Sequence, residues 1–298
     1  MSDLADLLPG FATHWIDTQA GRIFARSAGS GPPLVLLHGF PQTNVMWHRI
    51  APDLAEKFTV VVMDLRGYGW SSAPGSIDGG LYAKRAMGSD VIAVMEALGH
   101  VRFRVGGHDR GGRVAYRLAL DNPGRVEKLA LLDILPTIEV WKNIRAGVTP
   151  AAHWTFLAQK APVPEQQIGA DPDAFFRPQM AKWEKDPSKP VFDPRALAHY
   201  AAAWGDPSRI HAMCEDYRAG ATIDLAADEA DLAAKKQILC PVNILTGSSF
   251  MTNAPGQTPV QVWRSAFAPQ AEGQAIDSGH FLAEENPPAT LAALMAFL

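Results

Sequence analysis

Apolar residues along the chain fall into two kinds of run. Short stretches rich in aliphatic and β-branched residues lie at 13–17, 22–27, 33–37, 58–63, 103–107, 128–133, 242–246 and 273–277. Their length and continuity predict strands. Between most of them apolar residues recur at spacings of three and four, over 46–56, 82–98 and 112–120, which predicts helices. A final helix is expected over 288–298, with Pro288 in the first position, where no backbone N–H is needed. The first two strands have no helix between them and read as a hairpin. The alternation elsewhere predicts a mainly parallel sheet, whose ligands lie at the carboxyl ends of the strands.

The alternation stops after Asp133. Residues 136–236 are helix-like and rich in Ala and Trp, with Trp141, Trp154, Trp183 and Trp204 among them. Strand patterns resume near Leu239. The expected organisation is an α/β core of residues 1–135 and 237–298 with a helical cap, 136–236, inserted after the sixth strand. A cap over the carboxyl edge closes a pocket and excludes water, which strengthens polar contacts inside it. A length of 298 residues, 47% of them hydrophobic, suits one large domain with such an insertion, or two small domains. No internal repeat or low-complexity segment interrupts it.

The segment Gly107-His-Asp-Arg-Gly111 follows the fifth strand and precedes a helix. Strand, Gly-x-nucleophile-x-Gly and helix form the nucleophile elbow of the α/β-hydrolase fold. Serine is the usual central residue, and here it is Asp109. A carboxylate attacking an ester yields only an anhydride. Attacking a saturated carbon, it expels a leaving group and leaves an ordinary ester that water can hydrolyse. Asp109 therefore points to carbon–halogen bonds or epoxides rather than esters and amides.

Hydrolysis of such an ester needs a base. His280, in Asp277-Ser-Gly-His-Phe281, follows the last strand, where this fold places its histidine. The chain has nine histidines, so position rather than residue type selects this one. An acid must orient the imidazole. The loop after the seventh strand, Gly247-Ser-Ser-Phe-Met-Thr-Asn253, holds no carboxylate. That leaves Asp133, at the end of the sixth strand, as the candidate; the alternative is that it caps the first helix of the insertion. His38-Gly39-Phe40-Pro41 resembles the oxyanion loop of the fold. The Phe40 and Arg110 backbone N–H groups are the candidate donors.

Arg110 and Arg113 lie three apart at the start of the elbow helix and share a face. Together they could clamp a substrate carboxylate and hold Asp109 ionised; alternatively, they could pair with Asp109 or with surface acids. A net charge of −4 gives no reason to expect nucleic acid or an anionic membrane as partner. An anionic substrate must therefore be held by local positive charge. The two cysteines, Cys214 and Cys240, have no metal-site or redox spacing and read as reduced thiols. No cofactor and no metal are expected. The acidic start, Met-Ser-Asp-Leu-Ala-Asp, lacks a targeting pattern, and no apolar stretch reaches membrane-spanning length, so a cytoplasmic protein is expected.

With these residues in place the chain resembles the fluoroacetate dehalogenases, nearly end to end. The resemblance rests on His38-Gly-Phe-Pro-Gln-Thr43, Gly107-His-Asp-Arg-Gly111 with Arg113, and Asp133-Ile-Leu-Pro136. It continues through His153-Trp-Thr-Phe-Leu-Ala158, Met213-Cys-Glu-Asp-Tyr-Arg-Ala-Gly220 and Ser278-Gly-His-Phe281. It implies a small anionic haloacid as substrate and a homodimer. It also implies that His153, Trp154 and Tyr217 donate hydrogen bonds to the departing halide. From pattern alone, Trp154 and Tyr217 could be core aromatics and His153 a buried structural histidine. The stretches 247–256 and 75–80 do not match the family.

An epoxide hydrolase shares the fold, Asp109 and His280, and relies on two cap tyrosines, for which Tyr200 and Tyr217 are available. A neutral epoxide gives the arginine pair nothing to bind. A haloalkane dehalogenase carries Trp after the nucleophile, where Arg110 stands. A non-catalytic binding protein of this fold commonly lacks a triad member, and here all the candidates are present.

Overall fold

The computed structural model describes residues 4–148, 152–250 and 257–298. Eight strands form one sheet in the order β1-β2-β4-β3-β5-β6-β7-β8. They are β1 Ala12–Thr18, β2 Gly21–Ala28, β3 Pro33–Leu37, β4 Thr59–Met63, β5 Phe103–His108, β6 Val126–Leu132, β7 Val242–Gly247 and β8 Glu272–Ile276. β1–β2 and β2–β4 pair antiparallel, and the remaining pairs are parallel. This is the fold expected from the alternation, the hairpin included. Leu34–Leu37, Val60–Met63 and Leu129–Leu132 are buried throughout, because strands covered on both faces need unbroken apolar runs. β1 lies at the edge and alternates in exposure instead.

Core helices are α1 Ala51–Leu54, α2 Lys84–Ala97 and α3 Asp109–Asp121. The insertion supplies α4 Thr137–Arg145, α5 Ala152–Leu157, α6 Val163–Ala170, α7 Pro172–Ala181, α8 Pro194–Trp204, α9 Pro207–Ala221 and α10 Ile223–Ala233. After β7 come α11 Pro259–Ala266, α12 Leu282–Glu285 and α13 Pro287–Phe297. α2 packs on α3, and α1 on α13. No helix among the described residues is long and apolar enough to cross a membrane.

Most boundaries shift by one or two residues from the sequence reading, and three helical stretches differ in a way that has a local cause. The run over 46–56 is not one helix but a 3-10 turn, Asn44–Trp47, followed by α1, where Pro52 sits in the first turn. α3 starts at Asp109 itself, before the pair of glycines that masks its periodicity. α13 starts at Pro287, with the Asn286 side chain accepting the Ala289 N–H as a cap.

Between β6 and β7 the described chain is wholly helix, turn and loop. α9 is central to this insertion and contacts α5, α6, α8 and α10. Its residues Ala212–Gly220 are buried, Glu215, Asp216 and Arg218 included. Buried acids on an inserted helix need cationic partners; Asp216 finds Arg110 and Lys84 in the core, and Glu215 pairs with Arg218 of the same helix.

Candidate active site

The turn between β5 and α3 holds Asp109 at φ 45°. A non-glycine residue there is strained, and the neighbouring glycines make the geometry possible. A Cβ on Gly111 would lie 2.4 Å from the His38 carbonyl oxygen, and one on Gly107 would lie 2.7 Å from that of Gly111. A Cβ on Gly39 would lie 2.5 Å from Asp109 Cβ. β3, β5 and α3 thus meet backbone to backbone and aim the Asp109 carboxylate at the strand ends. The Phe40 N–H donates to Asp109 Oδ1 at 2.9 Å. Arg110 N lies in the first turn of α3, where a backbone N–H has no intrahelical acceptor. Burial works to raise the Asp109 pKa, but the charges of His280, Arg110, His108 and Arg113 outweigh it and hold the carboxyl below its ordinary value.

His280 follows β8, and its Nδ1 lies 2.6 Å from Asp133 Oδ2. Asp133 directly follows β6 at φ 55°, and its Oδ1 accepts the Gly247 N–H at 2.8 Å. It does not cap α4, whose N-cap is Pro136. His280 Nε2 faces Asp109 Oδ2 at 4.0 Å. Three residues far apart in sequence thus form a continuous line from acid to imidazole to carboxylate.

The arginines differ from one another in a way that their spacing does not reveal. Arg110 is fully buried, and its Nε and Nη2 bind the Asp216 carboxylate at 3.1 and 2.7 Å. Asp216 also accepts from Tyr68 Oη at 2.8 Å and pairs with Lys84. The forked face of Arg110 is therefore committed to α9, and Nη1 has no partner among the described residues. Arg113 has no carboxylate partner among the described residues. Its Nη1 donates to the Leu135 carbonyl and Thr137 Oγ1, each at 3.1 Å, and its Nε is buried without a partner. Burial and then the Arg110 charge push its pKa down.

Both guanidiniums lie against the aromatic residues of the insertion. Arg113 lies 4.5 Å from the Trp154 ring, and Arg110 lies 4.2 Å from the Tyr217 ring. Trp154 and Tyr217 meet edge to face at 5.5 Å, and His153 lies 5.9 Å from Tyr217. Neither Trp154 Nε1 nor Tyr217 Oη has a hydrogen-bond partner among the described residues, although both side chains are buried. Burial pushes His153 down to about 3, so it is neutral and still carries one N–H. Burial and then the Asp109 charge raise the Tyr217 pKa, so its O–H stays protonated. The eight side chains singled out from sequence therefore gather at one end of the sheet.

Tyr200 stands apart from them. Its Oη donates to Glu284 Oε1 at 3.0 Å and accepts from Gln42 at 3.3 Å.

Two further residues border the site. Trp183 packs between His153 at 4.8 Å and His280 at 5.5 Å, and Phe250 lies 4.4 Å from His280. Only the density of tryptophan in the insertion hinted at Trp183. Asp216, too, was missed, although a carboxylate next to Tyr217 in a helix with so few exposed positions is itself a signal. Of the divergent stretches, 75–80 is tied to α9 by the Gly79 N–H to Glu215 at 2.7 Å and by His211 to the Ser76 carbonyl at 2.7 Å. In the loop 247–256, residues 251–256 lie outside the described residues.

Residues 32–287 match the family model of the alpha/beta hydrolase fold. The chain belongs to the α/β-hydrolase family of enzymes. It is 43% identical to a fluoroacetate dehalogenase from Burkholderia sp, over 98% of this chain and 95% of that one. It is 32% identical to a soluble epoxide hydrolase from Corynebacterium sp. (strain C12), with the same coverage of 98% and 95%. Among solved structures, one from Nostoc sp PCC 7120 described as an alpha/beta hydrolase superposes with a TM-score of 0.91 at 48% identity, covering 97% of this chain and 98% of that one.

Proposed function

We propose that the protein is a hydrolytic dehalogenase of short 2-haloacids that turns fluoroacetate into glycolate and fluoride. The observation that carries this reading is Arg113. It is a buried cation in the pocket of a carboxylate nucleophile, with one N–H unsatisfied and no carboxylate partner among the described residues. A buried charge without a partner is costly, and a substrate carboxylate supplies the missing anion. Arg110 Nη1, also unpartnered, adds a second donor.

Asp109 Oδ1 already accepts the Phe40 N–H, so Oδ2 is the attacking oxygen. It displaces the halide from the α-carbon, and an ester forms between Asp109 and the acid. The leaving halide accepts hydrogen bonds from His153, Trp154 and Tyr217. Fluoride carries compact charge that water normally stabilises, so preorganised donors must replace that water. Residues 136–236 act as the cap that excludes solvent from a core of 1–135 and 237–298. His280, oriented by Asp133, then takes a proton from water, which attacks the ester Cγ. The charge that develops on Oδ1 is met by the Phe40 and Arg110 N–H groups. The Cγ–Oδ2 bond breaks and glycolate leaves with a proton returned by His280; the oxygen of the attacking water stays on Asp109, whose carboxylate is regenerated as the remaining proton passes to solvent.

The relative named for epoxide hydrolysis keeps that chemistry as the rival. Two observations weigh against it. Tyr200 is held by Glu284 and Gln42, which leaves Tyr217 as the free phenol of the candidate pair. A neutral epoxide also leaves Arg113 unpaired.

The test is product release from fluoroacetate, chloroacetate, a neutral haloalkane and a neutral epoxide, assayed side by side. Haloacids are expected to be turned over in strong preference. His280→Ala should still release about one halide per site and accumulate as an ester on Asp109. Turnover of the epoxide alone, or absence of any adduct in His280→Ala by mass spectrometry, would sink the proposal.

A further inference from the structure

We infer that Glu285 is a positioning residue that fixes the His280 loop to the helical insertion, so that ester hydrolysis, and not halide displacement, depends on it. This rests on the two-step reading above.

Glu285 ends α12 and uses both carboxylate oxygens on backbone N–H groups. Oε2 accepts from Gly279 and from Lys185, each at 2.8 Å, and Oε1 accepts from Phe281 at 2.9 Å. Gly279 and Phe281 are the two neighbours of His280. Lys185 belongs to the insertion, in the turn between α7 and α8. One carboxylate thus grips the base loop on both sides of the imidazole and ties it to the segment that covers it. A carboxylate suits this task because it is acceptor-only, with room for several donors.

Two more contacts run between the same two segments. The His280 N–H itself donates to the Trp183 carbonyl at 2.8 Å. Lys185 also pairs through Nζ with Asp277. The approach is close enough to require glycine, since a Cβ on Gly279 would lie 2.4 Å from both Lys185 N and the Trp183 carbonyl oxygen.

Asp109 makes no hydrogen bond within this arrangement, whose tie to the elbow is His108 Nε2 on the His280 carbonyl at 2.8 Å. It is set by α3, Gly39 and the Phe40 N–H. The Asp133 contact alone fixes one ring nitrogen of His280 but not the plane or depth of the loop that carries it. A base displaced by a fraction of an ångström cannot align a water against the ester carbonyl, whereas in-line attack by Asp109 proceeds as before.

The experiment is single-turnover kinetics of Glu285→Ala and Glu285→Gln with chloroacetate, following chloride release and the mass of the protein in parallel. Glu285→Gln keeps size and one acceptor oxygen, but turns its NH₂ toward at least one backbone donor. The expected result is chloride release at the wild-type rate, with ester hydrolysis slowed roughly ten- to a hundredfold and the adduct accumulating. Equal slowing of both steps, or hydrolysis at the wild-type rate, would overturn the inference. If Glu285→Ala fails to fold, Glu285→Gln is read by the same outcomes. His280→Ala, run alongside, separates the two ideas: an adduct there without one in the Glu285 variants rejects the positioning role and leaves the two-step reaction standing.

Discussion

Asp133 divides its carboxylate between two tasks, one oxygen on the Gly247 N–H and the other on His280 Nδ1. The first fixes the rotamer, and the second fixes the tautomer that leaves Nε2 as acceptor. Burial works to lower the His280 pKa, but the Asp133 hydrogen bond and the charges of Asp133 and Asp109 outweigh it, and the net shift is upward. In the proposed reaction His280 acts as a base only when neutral, and Asp109 carries no charge once esterified, so hydrolysis should lose rate as pH falls through a pKa that the Asp133 hydrogen bond and charge hold up. Asp133→Asn should move that acid limb down and cut the plateau by roughly 10³- to 10⁴-fold through loss of the tautomer. Single-turnover hydrolysis measured across pH checks both. An acid limb at the same pH in both proteins would detach Asp133 from the base.

The strand–turn–helix that carries Asp109 works because three backbones touch. Gly39 is the sharpest case, since it has ordinary negative-φ backbone and is glycine for space alone: an added Cβ would meet Asp109 Cβ at 2.5 Å and His108 Nδ1 at 2.9 Å. Gly39→Ala should therefore push the Asp109 carboxylate aside, with halide release falling about a hundredfold while circular dichroism keeps the native spectrum. Activity near the wild-type level would mean the turn has slack that the structure does not show. At this scale much was legible. Period and run length identified the eight strands, and the glycine spacing around Asp109 identified the elbow. The run over 46–56 misled because its apolar residues line a turn and a short helix, with Pro52 restarting the chain between them. Asp216 was not legible as the partner of Arg110, because that pair spans 106 residues and no local pattern reports it. The same holds for Trp183 beside His280.

Across the whole molecule, the insertion is joined to the core through buried charge. Asp216 of α9 meets Arg110 and Lys84, and Asp224 of α10 meets Lys84. Asp228 of α10 meets Arg117 and Tyr116. Removing one member of such a pair leaves its partner buried and uncompensated, which holds α9 and α10 in one place against α2 and α3. The sequence showed that acids and bases were present in both regions, but the pairing arises only once the sheet has set the distance between them.

Arg113 lies outside this matched set, and that has a thermodynamic consequence. The empty protein carries a burden that any fitting anion relieves, so the fold itself should report occupancy. A non-reacting carboxylate such as acetate should raise the melting temperature, by about 2.7 kcal/mol of stabilisation at a hundred times its dissociation constant. Neutral acetamide should not. Arg113→Gln should melt higher than the wild type without ligand, respond little to acetate, and lose haloacid turnover. The protein would then be seen to trade stability for selectivity at a single position. A variant that melts lower than the wild type and still responds to acetate would show that the charge of Arg113 is already satisfied within the fold.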